Sequence, residues 1–184
     1  MYPIGSQVMH PSHGAGVIRG IRAKRIGGAE RRYYVIEMPF AIRPTQIMIP
    51  VRRADEAGLR PVGRAGHLRG ILSRCAEDPG CEEFERDFRA RQAQESVQVK
   101  SGSFGVVADL VQSLAALQAE RGLGLTERRL LDQGVKLLAG ELSLAADVEI
   151  EDATSEVEIS LGLAGEDDAA DADPATEGPG EEKI

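Results

Sequence analysis

The apolar residues of this chain change their period once, at about Gly63. Before that point they come in short runs, SQVMH, GAGVIRGI, RRYYVIEM and QIMIPV, separated by turn chemistry. After it they recur on helical stripes. The switch predicts an α+β chain in two domains: a small, strongly bent β-sheet or barrel, then a compact all-α bundle. Gly27-Gly28, between RAKRI and AERRYYVIE, predicts a two-residue hairpin turn. In Tyr33-Tyr34-Val35-Ile36 both faces are apolar, which suits a strand covered by a barrel interior on one side and by a neighbour or partner on the other. Gly20, inside a β-prone run, marks a bulge or a barrel corner.

The helical part divides at its breakers. GHLRGILSRCAED predicts a helix that stops before Pro79-Gly80, and CEEFERDFRARQAQESV predicts a second, with Phe84 and Phe88 one turn apart. A third starts with Ser103 as its cap, carries Val107, Leu110, Leu114 and Leu117 on one stripe and ends at Arg121-Gly122. The fourth starts at Thr126-Glu127 and lines up Leu131, Val135, Leu138 and Leu142.

Charge is laid out as unevenly as hydrophobicity. Residues 1–64 hold 11 Lys and Arg against 4 Asp and Glu, residues 65–145 hold 10 against 12, and residues 146–184 hold 1 against 14. A basic head and an acidic end flank a balanced middle. The stretch from 147 to 184 is expected to be a disordered acidic tail, so removing residues 150–184 should leave the melting temperature nearly unchanged. The alternation in VEIEDATSEVEISLGL is the competing signal there, for a strand laid on some partner. No run of about 18 apolar residues and no basic-then-apolar leader is present, which predicts a cytoplasmic protein with no membrane span.

The stretch HPSHGAG, His10 to Gly16, could hold a metal, cradle a phosphate or simply turn the chain. Arg19 stands where a dinucleotide fingerprint needs its third glycine, and the residues after it are β-prone. No acidic or cysteine partner for the two histidines precedes Glu30, so a strand-to-strand turn held by Pro11 and Gly14 is the better reading. Cys75 and Cys81, with only His67 nearby, make a poor zinc site. No catalytic set stands out, so the sequence predicts no enzyme, no metal and no cofactor.

These pieces together resemble a known family. HPSHG, a strand ending near Lys24, the paired-glycine hairpin, YYVIE and the IMIP strand end are similar to the N-terminal module of the CarD/CdnL bacterial transcription regulators, a module shared with transcription-repair coupling factors. ERGLGLTERRLLDQGVKLLAGELSLA resembles the last helical hairpin of that family, and FERDFRAR sits where it carries an aromatic-led basic helix. The resemblance implies a Tudor-like β-domain over residues 1–63 that docks on the β subunit of RNA polymerase, and a helical domain over 64–146 that contacts the upstream fork of the promoter bubble and stabilises the open complex. It places Lys24 and Met48 at polymerase-contact positions, with Arg22, Arg25 and Arg43 as neighbours chosen by charge. It makes Phe84 the counterpart of a tryptophan wedge in the minor groove, with Arg86, Arg89, Arg128 and Arg129 on phosphates and Asp87 where a relative can carry a basic residue. Recognition would be largely independent of sequence, by a monomer delivered to DNA by the polymerase. A competing reading is a protein–protein adaptor that docks on polymerase without touching DNA.

Overall fold

The computed structural model describes residues 1–40, 45–77 and 96–163. Arg43, Cys81, Phe84, Arg86, Asp87, Phe88 and Arg89 lie outside that set. Five antiparallel strands, β1 (Gln7–His10), β2 (Gly14–Ile26), β3 (Ala29–Met38), β4 (Thr45–Pro50) and β5 (Arg60–Pro61), form one sheet in the order β4-β3-β2-β1-β5. The helices α1 (Ala65–Glu77), α2 (Phe104–Arg121), α3 (Leu125–Ala146) and α4 (Ile150–Ser160) follow, and residues 96–99 are also helical.

Ile26 pairs with Ala29 across Gly27 and Gly28, whose φ angles of 60° and 79° are what a tight right-twisted hairpin requires of both central residues. The register slips between Ile18 and Gly20, so a bulge lies beside Gly20 and turns out Arg19, which donates to Glu37 at 2.5 Å.

Because side chains alternate across a strand, neighbours on β1 serve two different cores. Val8 joins Ile18, Tyr34, Ile36, Met38, Ile49, Ala54 and Leu59 inside the bent sheet. Met9 faces the other way and, with Ala15 of β2, joins the core of the helices. The two domains therefore share apolar contact. At the seam, Gly140 of α3 lets Phe40 approach closely, since a Cβ there would lie 3.2 Å from the ring. An ion pair with a buried carboxylate crosses the same seam: the Arg60 guanidinium donates to both oxygens of Glu141 at 2.6 Å, and the Gly63 N–H donates to Oε1 at 3.0 Å.

The expected apolar stripes of α2 and α3 are all buried. Gly122 ends α2 with its N–H on the Gln118 carbonyl. Ser103 occupies the N-cap position of α2, but its hydroxyl makes no capping bond. On α3 the cap comes from within the helix: the buried Glu127 carboxylate accepts from the Gly124 N–H at 2.9 Å and from Arg121 at 2.7 Å.

One expectation fails outright. Residues 147–163 do not belong to a disordered tail, and the alternating signal is not a strand. Asp147 takes a left-handed conformation that closes α3, and α4 then returns across α1 and α3. Ala153, Val157 and Leu161, spaced by four, are buried in the helical core. Glu149, Glu151 and Asp152 crowd the N-terminal end of α4, where the helix dipole favours negative charge.

Candidate functional site

Beyond Pro50, the partner of Tyr33, β4 ends and β2 and β3 run on alone as a two-stranded ribbon. Residues that pair directly across an antiparallel ladder share a face. Arg22 opposite Tyr33, Lys24 opposite Arg31, and Met48 opposite Val35 thus lie on one face, the side of the sheet away from the Tyr34–Ile36 core. Arg25 does not join them: it sits on the other face, opposite Glu30. Lys24 and Arg31 are like charges directly across from each other, an arrangement that costs stability and fits an acidic partner. Charge along the sequence does not single out Arg31, because only the register places it beside Lys24. Tyr33 and Met48 are half-buried and flank the buried Val35, giving the basic face an apolar border.

The sheet order puts β4 at an edge, and among the described residues no strand pairs its outer side. The outward-facing backbone N–H and C=O groups of alternate β4 residues are a template for another strand. Of the two ends of the sheet, β4 has the longer strand, since β5 is only two residues.

On the helical domain, Arg128 and Arg129 lie exposed near the start of α3. Arg129 also borders a cleft of about 390 Å³ between α3 and the turn joining β1 to β2. Residues 10–14 make that turn, as expected. The His10 and His13 rings stand 4.7 Å apart, and His10 Nδ1 accepts from the Ser12 N–H at 3.1 Å. Burial, and then the neighbouring His13, hold the His10 pKa below its ordinary value. Among the described residues no three His, Cys, Asp or Glu groups converge as a metal site requires. Burial first, and then the Asp109 carboxylate accepting from Sγ at 3.2 Å, push the Cys75 thiol up to about 11, leaving almost no thiolate at neutral pH. No described helix is long and apolar enough to cross a membrane.

Comparison with known proteins joins both halves. Residues 2–63 match the CarD-like/TRCF RID domain, and residues 77–158 match the C-terminal domain of CarD. A protein of Bacillus subtilis (strain 168) named "Putative transcription factor YdeB" is 28% identical over 144 residues, covering 78% of this chain and 92% of its own length. The second match runs into α4 as far as residue 158, in agreement with the burial of Ala153 and Val157 on the bundle. With one domain model on the sheet and the other on the helices, the chain belongs to the CarD-like family of transcription regulators.

Proposed function

We propose that this protein binds the β subunit of RNA polymerase through the outer edge of β4 and contacts the upstream fork of the promoter bubble through its helical domain, stabilising the open complex without doing chemistry. The outer edge of β4, unpaired among the described residues, beside the basic face of Arg22, Lys24 and Arg31 is the observation that carries this reading. Strand addition takes affinity from main-chain hydrogen bonds and specificity from the flanking side chains. Met48 lies on the β4 edge itself, and Lys24 on the adjoining ribbon. Arg25 and Arg43 are weaker candidates, the first because it faces the other way.

Replacing Lys24 and Arg31 together by Glu is expected to weaken binding to polymerase by roughly tenfold or more, since close charge pairs couple by about 1.5 kcal/mol upward. Both residues are exposed, so the melting temperature should hold. Unchanged affinity measured by a pull-down or by calorimetry would place docking elsewhere.

For DNA, Arg128 and Arg129 on α3, with Arg86 and Arg89, are proposed to hold phosphates. Phe84 is proposed as the ring set against the opened base step. Ring–base stacking is worth roughly 1–3 kcal/mol by alanine substitution, so Phe84→Ala should shorten the open-complex lifetime about five- to a hundredfold. Phe84→Trp should lengthen it. Footprinting a polymerase–promoter complex with and without the protein tests the whole reading: an adaptor that never touches DNA would leave the upstream fork unchanged.

A further inference from the structure

The cleft beside Arg129 has an unusual lining for a regulator that works only through surfaces. One wall is α3, where Arg129, Asp132 and Lys136 follow one another at helical spacing, the two cations two turns or about 10 Å apart. His13 faces them from the turn of the β-domain, and the floor includes Phe40 and Leu137. Neither Arg129 nor Lys136 has an ion-pair partner among the described residues, although Asp132 stands between them. The volume of about 390 Å³ lies at the low end for small-molecule sites and is too small for a helix or a peptide strand.

Each part of this lining has a counterpart in one chemical class. A cation suits the oxygens of a phosphate, an aromatic and aliphatic floor suits a flat ring, and a carboxylate accepts from an exocyclic amino group of a base. A simple anion would gain nothing from Phe40. We infer that this inter-domain cleft is a nucleotide-binding site, with phosphate on Lys136 and His13 at one end, Arg129 lining the other, the base on Phe40 and Leu137, and a base amino N–H donated to Asp132. The nucleotide is either free or one unit of a DNA strand. The site shares Arg129 with the DNA face proposed above but needs neither polymerase nor an open promoter.

Calorimetric titration of the full chain with ADP, with inorganic phosphate and with a short DNA duplex tests it. Saturable ADP binding roughly tenfold or more tighter than phosphate is expected, weakened at least about tenfold by Lys136→Glu with an unchanged melting temperature. Asp132→Asn should weaken ADP and leave phosphate bound no less tightly. ADP bound no more tightly than phosphate, or no effect of Lys136→Glu, would overturn the assignment. If the duplex displaces ADP and itself weakens in Lys136→Glu, the occupant is a DNA nucleotide; if it does not compete, the occupant is free nucleotide. ADP binding that persists when the promoter footprint is negative would leave this site standing while the DNA reading fell.

Discussion

A chain ending at Val148 is expected to melt about 5–10 °C below one ending at Leu163. The difference isolates α4. Fully burying a residue such as Val157 or Leu161 stabilises by about 1.5–3 kcal/mol, and Ala153 adds a smaller amount. These are upper figures, and releasing the helix returns part of the gain as chain entropy. A net loss of about 2–3 kcal/mol remains, at roughly 2–4 °C per kcal/mol for a chain of this size. Leu161→Ala in the full chain should reproduce much of it, since truncating a buried leucine costs about 2–5 kcal/mol. Equal melting of the two truncated chains, measured by circular dichroism, would return α4 to the tail.

The docking of α4 should also weaken in acid. The Glu156 carboxyl accepts from Arg69 at 2.6 and 2.9 Å, and that hydrogen-bonded pair holds its pKa below the usual carboxylate value. A depressed folded-state pKa contributes stability that is complete above the unfolded value and is lost as pH falls through the folded one. The pair is partly exposed, so its share is small beside the apolar burial.

Sequence pattern exposed those parts of the molecule that are set by near neighbours along the chain. The switch of period separated the strands from the helices, the double glycine located the hairpin, and Arg121-Gly122 located the end of α2. What it hid depends on distant partners. Ala153, Val157 and Leu161 read as noise among acids because the surface that buries them is built by α1 and α3. The strand β5 is two residues long, below any periodic signal, and exists because β1 offers it an edge. Arg25 and Lys24 are adjacent in sequence yet lie on opposite faces, so choosing both from charge had to mix two surfaces. Arg31 and Lys136 carried no motif, and only the strand register and the packing of α3 against the β1–β2 turn draw attention to them. Phe84, Arg86 and Arg89 rest on the family resemblance alone.

The tie between Arg60 and Glu141 spans 81 positions and has the most to lose from a single substitution. Its two ends are unequal: the Glu141 side chain is 0% exposed, the Arg60 side chain 31%. Removing the glutamate leaves a guanidinium that can turn toward water while keeping its Nε–H on the Gly102 carbonyl at 2.6 Å. Removing the arginine strands a carboxylate in the seam with only the Gly63 N–H. Arg60→Met is therefore expected to cost about 3–5 kcal/mol, the penalty for an uncompensated buried charge, and Glu141→Leu distinctly less. The double variant Arg60→Met with Glu141→Leu should recover most of the stability, because a buried ion pair replaced by apolar residues of similar size is often neutral or better. Its consequence for function is separate from its stability. If the clamp fixes the angle between the strand edge proposed to dock and the helices proposed to meet DNA, the double variant will melt normally and bind polymerase normally yet shorten the open-complex lifetime. Normal lifetime in the double variant, with both single variants destabilised in the stated order, would confine Arg60 and Glu141 to holding the fold.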